Sequence, residues 1–399
     1  MSGALSVLHV IPAVAPRYGG PSEAVIQYCR ALQARGVSTM MATTDADGPA
    51  RLDVPRGREI EYAGTPAVFF ARRLGDGFKY SPGLAAWLPE NVRRFDLVHV
   101  HALFSHSSLA AARACRRARV PYVVRPLGSL TEWGLRRHRW RKRLLWQAGV
   151  ARMLHGAALV HYTTADEQAQ AQAVTPAPGV VVPVGIADDW PAGADIGRAE
   201  PVVLAVGRLH PVKNLELLIV AFQDVVVDSR FGAWRLVIAG DGDAAYRATL
   251  ERLSRARPAR VEFAGWLDAG AKAAWLERTA IFASTSHQES FGLALIEALA
   301  SGRPAVIADT LSLAGEIREA EAGWVAPASR DGVAEALRQA MTDAAERVRR
   351  GSAARAFARQ FTWPAIAVRL EDAYRSAIDA GRVPAPKRDG GPSLAGVRR

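Results

Sequence analysis

Short apolar runs alternate with stretches of helical periodicity along most of the chain. The first series of strand-like runs is SVLHVIP, STMMATT, EIEYAG, AVFFAR, LVHVHA, PYVVRPLG, ALVHYTT and VVVPVG, with helical patterns that include 107–118 and 165–173. A second series has the runs PVVLAVG, RLVIAG, RVEFAG, AIFASTS and PAVIAD, separated by helical patterns near 214–228, 244–256, 269–279 and 292–301. This alternation predicts an α/β fold with parallel sheets covered on both faces.

A segment without periodicity separates the two series. ADDWPAGADIGRAEP is rich in Asp, Gly, Ala and Pro, so it predicts a linker over 188–200. The linker would join a first doubly wound domain, residues 1–187, to a second, residues 201–362. A further helix is predicted over 363–380, and the segment 381–399, which is poor in apolar residues, is predicted to be a disordered tail.

Charge and cysteine content narrow the class of protein. The 51 basic residues outnumber the 39 acidic ones, for a net charge of +12, which favours anionic ligands. Neither a zinc-finger spacing nor an aromatic RNA-binding signature is present, so no nucleic-acid partner is expected. The two cysteines are too few for a disulfide framework, and no apolar run is as long as a membrane span. We therefore expect a cytoplasmic location.

The stretch SHQESFGLALIEALASGRPAVIAD, residues 286–309, has the clearest candidate chemistry. Its helix is apolar on every side, which predicts burial, yet it contains the carboxylate of Glu297. In the loop before the helix lie Glu289, the expected N-cap Ser290, and Gly292, which allows a ligand to approach the backbone. The free N–H groups of a helix N-terminus suit a phosphate. A ligand with hydroxyls and phosphates fits this set, although a core helix with a salt-bridged glutamate fits the spacing equally well.

Two further loops offer groups for a phosphate. VGRLHPVKN, residues 206–214, follows the first strand of the second series and contains Arg208 and Lys213 where a pyrophosphate would lie. Near the start of the chain, Gly19 and Gly20 stand between a strand and a helix, as they do in nucleotide-binding α/β units. The alternatives are a solvated loop for the first segment and an ordinary tight turn for the second.

The run E-x7-E from Glu289 to Glu297, followed by A-x3-G-x-P, resembles the signature of retaining glycosyltransferases of family 4, which have the GT-B fold. The G-R-L-x3-K segment at 207–213 resembles the donor-phosphate motif of the same family. The resemblance implies two Rossmann-like domains facing across a cleft, with a C-terminal helix that crosses back to the first domain. It also implies transfer of a hexose from a UDP- or GDP-sugar to a hydroxyl of a glycan or lipid-linked acceptor, with no metal and no other cofactor.

The resemblance also implies a role for each matching residue. Arg208 and Lys213 would hold the nucleoside diphosphate, Glu297 would accept hydrogen bonds from the ribose, and Glu289 would lie at the transferred sugar. Trp266 lies beside the implied base pocket, although a tryptophan at a strand end is more often a core residue. The other implied donor-binding positions are Gly19, Gly20, Leu267, Phe291, Gly292 and Leu293.

The first domain departs from the family pattern at one position. The family usually has a histidine in T-x-H-G, where this chain has Leu127 in VVRPLGSL. His101, expected to point into the cleft, or Arg125 would then substitute for it at the reaction centre. His99 and His101 share one face of a strand, which would suit a metal, but no third ligand is near in sequence. Packed polar groups are the commoner explanation. The following GSLTEWGL resembles a branch associated with polysaccharide biosynthesis in the cell envelope.

Residues 134–154, GLRRHRWRKRLLWQAGVARML, predict a strongly basic helix with Trp133, Trp140 and Trp146 in or next to it. Basic residues mixed with aromatics and leucines suit the surface of an anionic membrane, here the inner face of the plasma membrane. A solvated helix face with arginine stems lying along it explains the same letters. Peripheral membrane contact is therefore one of two interpretations.

Other functions are also compatible with the sequence. A nucleotide-sugar 2-epimerase of the same fold would consume the donor without an acceptor. A non-catalytic nucleotide-sugar-binding module would bind the donor without turnover, an option kept open by Leu127. The D-x-D segments at 45–47 and 241–243 match the metal-binding motif of other transferases, but turns are their expected use, so no metal requirement is predicted.

Overall fold

Two units, each with its own sheet and core, make up the part of the chain that the structure describes. The structure is a computed structural model and describes residues 4–131, 134–135, 139–187, 196, 199–257, 259–289 and 291–382. Unit 1 comprises the residues up to Gly185 together with those from Trp363 onward, and unit 2 comprises Ile186–Thr362. Unit 2 is therefore an insertion in unit 1.

Unit 1 contains one large sheet and a small hairpin. Its strands are β1 Ser6–Val10, β2 Ser38–Thr44, β3 Ala46–Asp47, β4 Ala50–Arg51, β5 Glu59–Tyr62, β6 Thr65–Phe70, β7 Leu97–His101, β8 Tyr122–Arg125, β9 Leu159–Tyr162 and β10 Gly179–Val181. The large sheet has the order β10-β9-β8-β7-β1-β2-β6-β5, and β3 pairs with β4 in the hairpin. The strand order reverses direction between β1 and β7, as in doubly wound folds.

The edge strand β5 corrects the expectation of a wholly parallel sheet. It pairs antiparallel with β6, while the other neighbours in this sheet are parallel. The two strands are joined by Ala63 and Gly64 alone, both with positive φ (50° and 73°). A two-residue loop of this kind forms a hairpin, whereas a parallel connection needs a crossover of a dozen or more residues.

Three of the helices of unit 1 begin at hydroxyl side chains. The described helices of this unit are α1 Gly20–Gln33, α2 Pro82–Asn91, α3 His106–Ala118, α4 Arg139–Leu145, α5 Ala151–His155 and α6 Ala165–Gln172. Ser81, Ser105 and Thr164 cap α2, α3 and α6 by accepting a backbone N–H from the first turn. The Gly20 start of α1 follows Gly19, whose φ of 71° and ψ of −147° are accessible essentially to glycine.

The expected continuous helix over 134–154 is wrong. A π-helical turn, Trp146–Val150, separates α4 from α5, and Gly149 leaves helical geometry there. Trp133 and residues 136–138 lie outside the described residues. Trp146 is buried in the core, whereas Trp140 is 65% exposed. Of the expected aromatic surface, Trp140 is therefore the tryptophan that the structure places in solvent.

Unit 2 is a six-stranded sheet in which neighbouring strands are parallel. Its strands are β11 Glu200–Val206, β12 Arg235–Ala239, β13 Arg260–Gly265, β14 Thr279–Ser284, β15 Ala305–Ala308 and β16 Gly323–Ala326, in the order β13-β12-β11-β14-β15-β16. Its helices are α7 Leu215–Val226, α8 Ala244–Ser254, α9 Ala269–Arg278, α10 Leu293–Ala300, α11 Ala314–Glu319, α12 Arg330–Thr342 and α13 Ala344–Ala358. The strand order reverses between β11 and β14, so the crevice for a ligand is expected there.

The last described helix, α14 Trp363–Arg382, returns to unit 1 and packs against α1. The predicted linker 188–200 lies mostly outside the described residues, and β11 already begins at its last residue, Glu200. Of the predicted tail, residues 383–399 lie outside the described part. No helix within the described ranges is both long enough and apolar enough to cross a bilayer.

Candidate functional site

Two loops of unit 2 leave the sheet side by side where the strand order reverses. The loop after β11 contains Arg208 and Lys213, and the loop after β14 contains Glu289. A small pocket between the two loops is lined in part by Gly207, Lys213 and Ser286. Parallel strands thus bring together charged groups that are about eighty residues apart in the sequence.

The loop after β11 is held against the loop after β12. Leu209 N donates to the carbonyl of Asp241 at 2.9 Å. A Cβ atom at Gly240, where φ is 141°, would lie 1.9 Å from the carbonyl oxygen of Gly207, so only glycine fits this close approach. Asp243 caps α8 by accepting the N–H of Tyr246. The acidic residues of the 241–243 segment are thus used in a turn and a helix cap.

Lys213 and Glu289 form an ion pair at the centre of this site. The Lys213 ammonium donates a hydrogen bond to Glu289 Oε2, and Ser286 Oγ donates to the same oxygen at 3.3 Å. Both charged side chains are about one-fifth exposed. Arg208 is exposed and has no ion-pair partner among the described residues. Of these three charged groups Lys213 lines the pocket, and Arg208 and Glu289 lie on the same two loops, each within reach of solvent.

The N-terminus of α10 lies next to Glu289. Gly292 occupies the N-cap position with φ 80° and ψ 58°, and no side chain of the described residues caps the helix. The expected N-cap, Ser290, lies outside the described residues. Because α10 begins at Leu293, the N–H groups of Leu293 and Ala294 have no intrahelical acceptor. Phe291 is buried against Phe361, so only its backbone is available to a ligand.

Glu297 lies one turn further along α10, buried except for 7% of its side chain. Burial raises its pKa, and the nearby Lys272 ammonium opposes that effect. Lys272 Nζ lies 2.6 Å from both carboxylate oxygens and donates its hydrogen bond to Oε1, whereas Oε2 has no hydrogen-bond partner within the described residues. Lys272 was not predicted as a site residue from the sequence, although it is one of only five lysines beside 46 arginines.

The implied base-pocket residues follow β13, at the edge of the sheet. Trp266 is 73% exposed, so its interpretation as a core residue is wrong. Leu267 is half-buried next to it. The same loop leads into α9, where Asp268 caps the helix and Lys272 lies in the first turn. Leu267 and Lys272 are therefore supplied by one continuous segment.

In unit 1, polar side chains share one face of the large sheet. His9 pairs in register with His99, His101 pairs with Arg125, and His161 lies one strand further on the same face. The opposite face is apolar, with Leu8, Val10, Val98, Val100, Val124 and Val160 in the core. Alternation along β1, β7, β8 and β9 thus separates an apolar face from a polar one.

A chain of hydrogen bonds connects these histidines to the last helix. His161 Nε2 lies 2.7 Å from the carbonyl of Val182, His161 Nδ1 lies 3.3 Å from His99 Nε2, and His99 Nδ1 lies 2.7 Å from the Tyr374 hydroxyl. Burial lowers the pKa of His161 to about 3, so its ring is neutral. Because the carbonyl only accepts, His161 donates to it from Nε2 and accepts from His99, which accepts in turn from Tyr374.

His101 was expected to point into the cleft. It is fully buried, and its Nε2 lies 3.1 Å from His9 Nδ1. His9 supplies the third nitrogen that the sequence analysis did not find, since nitrogens of His9, His99 and His101 lie within 4.8 Å of one another. A cation does not fit this group well, because both His99 nitrogens are already hydrogen-bonded and the positive charge of Arg125 acts on the same histidines.

Arg125 and the loop after it complete the polar end of β8. The guanidinium lies 5.1 Å from the ring centre of Tyr28, and its Nε and Nη1 atoms are buried without a hydrogen-bond partner among the described residues. Leu127, where the family usually has histidine, has a positive φ of 56°. The buried Glu167 accepts the N–H of Gly128 at 2.7 Å and so holds this loop. Glu167 is a second residue that sequence reasoning missed.

Gly19 and Gly20 lie where the turn after β1 leads into α1. Both glycines are exposed, and a Cβ atom at either position would meet nothing within 4 Å. The need for glycine at position 19 therefore comes from its backbone conformation and not from a close contact.

Two family models match the chain on either side of the division between the units: "Glycosyl transferase 4-like domain" matches residues 19–185, and "Glycosyl transferases group 1" matches residues 188–357. The chain belongs to this glycosyltransferase family.

Several curated glycosyltransferases are similar to the chain. D-inositol 3-phosphate glycosyltransferase of Corynebacterium aurimucosum is 32% identical over 182 residues, which are 44% of this chain and 43% of that protein. That match spans less than half of the relative's length. Phosphatidyl-myo-inositol mannosyltransferase of Mycobacterium leprae is 25% identical over 376 residues, covering 91% of this chain and 94% of that protein. Similarity to a glycosyltransferase thus extends over nearly the whole chain.

Solved structures show the fold of this glycosyltransferase. Sucrose-phosphate synthase from Thermosynechococcus elongatus superposes with a TM-score of 0.74 at 20% identity, over 94% of this chain and 100% of that one. Anabaena HepE in complex with UDP-glucose superposes with a TM-score of 0.73 at 19% identity, over 93% and 100%. The chain therefore has the GT-B fold, and this prediction is confirmed.

Proposed function

We propose that the protein is a retaining glycosyltransferase that moves a hexose from a nucleoside diphosphate sugar to a hydroxyl of a glycan or lipid-linked acceptor. The observation that carries the proposal is the Lys213–Glu289 pair beside the uncapped N-terminus of α10, where the strand order of unit 2 reverses. Membership of the glycosyltransferase family supports it. HepE, whose fold is similar, has been solved with UDP-glucose.

The donor would be held by charge and hydrogen bonds from unit 2. Arg208, Lys213 and the free N–H groups of α10 bind the diphosphate and offset the charge of the leaving group. Glu297 accepts hydrogen bonds from the ribose hydroxyls through Oε2, which forms an ion pair with Lys272 but has no hydrogen-bond partner among the described residues. Glu289 accepts from hydroxyls of the transferred sugar, which replace part of its contact with Lys213. Leu267 and the backbone of Phe291 contact the base and the phosphates.

The transfer step needs no protein nucleophile in this proposal. The bond between the anomeric carbon and the phosphate oxygen breaks, and the nucleoside diphosphate leaves with the electron pair. The acceptor oxygen bonds to the same face of the sugar, and its proton moves to the departing phosphate oxygen. Catalysis is then electrostatic and positional. In unit 1, Arg125 is our candidate for contact with the sugar or the acceptor, and the buried His101 is our candidate for supporting that region.

The binding step is tested by thermal shift with UDP, GDP, ADP and CDP, each with EDTA. A ligand that binds only the folded state raises the melting temperature. We expect one nucleotide to do so in the wild type and not in Glu297→Ala, while the surface variant Glu277→Ala responds like the wild type. No shift with any nucleotide would contradict the donor site. Shifts that appear only with a divalent ion would contradict metal-independent binding, which we also propose.

The reaction is tested by following the donor with and without acceptor extracts. Transfer of label to a glycan or lipid fraction, with the anomeric configuration of the donor kept, is the expected result. Conversion of the donor without any acceptor would indicate a 2-epimerase instead. Binding without turnover in every extract would indicate a nucleotide-sugar-binding module.

We also propose that the surface of α4 contacts an anionic membrane. Trp140 and Leu144 are 65% and 58% exposed and lie one turn apart, and Arg141 stacks 5.0 Å from the Trp140 ring centre. Arginines around exposed apolar side chains suit an interface with anionic lipid. In liposome co-sedimentation, Trp140→Ala with Leu144→Ala should lower binding to anionic vesicles several-fold, while Val227→Ala, a 75% exposed control in unit 2, should not. Equal binding by both variants would remove the proposal.

A further inference from the structure

The lysines of unit 2 are placed in an unusual way. The chain has five lysines and 46 arginines, and unit 2 contains only Lys213 and Lys272. Each forms an ion pair with one glutamate of the E-x7-E segment, Lys213 with Glu289 and Lys272 with Glu297. Elsewhere in unit 2, the carboxylates that form ion pairs in the described residues do so with arginine. Both lysines of unit 2 thus form ion pairs with the two glutamates of the candidate donor site.

Lys272 is fixed at the start of α9. Asp268 caps this helix by accepting the N–H of Ala271 at 2.8 Å, and Lys272 N donates to the carbonyl of Asp268 at 2.9 Å. The side chain is 19% exposed and reaches across to α10, where its Nζ donates to Glu297 Oε1 at 2.6 Å. The cap therefore sets the position from which the ammonium meets the buried carboxylate.

The contact with Lys272 determines whether the Glu297 carboxyl group is ionised and which hydrogen bonds it can form. A carboxyl group in an apolar helix becomes protonated unless a positive charge compensates it, and the protonated form has one oxygen that donates. Arginine would present a planar fork that can engage both oxygens, whereas the lysine ammonium is a compact charge. In the structure, the ammonium donates to Oε1 and also lies 2.6 Å from Oε2 as an ion pair, while Oε2 has no hydrogen-bond partner among the described residues.

We propose that Lys272 is a positioning residue of the donor site, which holds Glu297 as an oriented carboxylate so that Oε2 accepts hydrogen bonds from the ribose hydroxyls of the nucleotide. The inference rests on the function proposed above and extends it to a residue in another helix. Lys272 acts through Glu297 and does not itself contact the reacting atoms. Its loss should therefore affect recognition of the ribose more than recognition of the diphosphate or the base.

The test compares two nucleotides on Lys272→Met. Calorimetry measures Kd for the nucleoside diphosphate that the wild type binds and for its 2′,3′-dideoxy analogue, which lacks both ribose hydroxyls. We expect the wild type to prefer the hydroxylated nucleotide by about tenfold or more, since hydrogen bonds to a charged acceptor are strong. In Lys272→Met the two Kd values should approach each other, with the value for the dideoxy analogue changed by less than about threefold. Arg278→Met, which removes a cation from the same helix, should keep the wild-type ratio.

Two results would overturn the proposal, and they are distinguishable. If Lys272→Met keeps the wild-type ratio, Lys272 does not position Glu297, and the donor site itself stands. If the wild type binds no nucleoside diphosphate, or does not distinguish the two nucleotides, the proposed role of Glu297 fails first. Lys272→Gln, which is neutral but can still donate a hydrogen bond, provides a second variant should the methionine variant fold poorly. Its ratio should fall as well.

Discussion

The two units differ in the partners of their polar side chains. In unit 2, Glu289 and Glu297 each contact a lysine, so opposite charges are paired close to solvent. In unit 1, four histidines and Arg125 share one sheet face, and no carboxylate contributes to the pKa of any of these histidines. The paired charges of unit 2 can be rearranged by a charged ligand. In unit 1, the chain of neutral histidines His161 and His99 instead joins strands to the helix of Tyr374, so the pairs of unit 2 suit binding and this chain suits architecture.

The largest effect should come from removing the charge of Lys213. Lys213→Met takes away a cation that offsets the leaving group and leaves Glu289 without its ion-pair partner, so turnover should fall by about a hundredfold. Steady-state kinetics with the donor identified by thermal shift measures it. Arg230→Met removes a cation from an exposed pair with Asp228 and should change turnover little. A loss of less than about threefold in Lys213→Met would mean that unit 2 does not use this charge for catalysis.

A fall in pH should lower the folding stability of unit 1 before that of unit 2. Burial and Arg125 lower the pKa of His9 and of His161 to about 3 in the folded unit, whereas both protonate near 6.5 when unfolded. The stability they contribute is complete above about pH 6.5 and is lost as pH falls toward 3, by about 1.4 kcal/mol per pH unit for each histidine.

Hydrogen exchange resolved by peptide and corrected for the intrinsic rate measures this difference. Between pH 7 and 4.5, peptides from β1, β7 and β9 should lose protection before peptides from β11 and β14. The two histidines of unit 2, His210 and His287, are not buried, so the same loss is not expected there. Simultaneous loss in both units would contradict the assignment of neutral histidines to unit 1.

A smaller effect is expected from the hydroxyl at the end of the histidine chain. Tyr374→Phe removes the donor to His99 Nδ1 and leaves that nitrogen buried without a partner, at a cost of about 1 kcal/mol in the unfolding free energy. Thermal unfolding should show a melting temperature a few degrees lower, with nucleotide binding by unit 2 unchanged. Tyr80→Phe, at a half-buried tyrosine of the same unit, is the control. No difference between the two variants would mean that the network does not stabilise unit 1.

Periodicity was enough to predict most elements of the fold but not all pairings between them. The apolar runs coincide with β11–β15, and the helical pattern near 292–301 corresponds to α10. The antiparallel β5 depends on a two-residue turn, and the break at Gly149 depends on one backbone conformation, so neither shows in a hydrophobic pattern. β16 and the helices α11 to α13 also exist without having been predicted from the sequence.

The candidate site, like the fold, was only partly predictable from the sequence. The motif resemblance pointed to Lys213, Glu289 and Glu297, whose contacts the structure supplies. Lys272 lies 25 residues before Glu297 on a different helix, and only the fold of unit 2 brings the two side chains together. His9 and His161 were not predicted as neighbours of His99 for a related reason. β1 lies beside β7 in the sheet, and β9 follows β8 on the other side of β7. Contacts set by sheet order cannot be obtained from local spacing.

The return of α14 to unit 1 has a consequence for synthesis of the chain. Unit 2 is continuous in sequence, and its two ends meet where Ile186 N donates to the carbonyl of Phe361 at 2.7 Å. Unit 1 receives its last element, with Tyr374, only after all of unit 2 has been made. On the ribosome, the inserted unit can therefore fold first, while the sheet that begins at residue 6 still lacks the helix that contributes Tyr374. The order of folding would be the reverse of the order in which the two units begin.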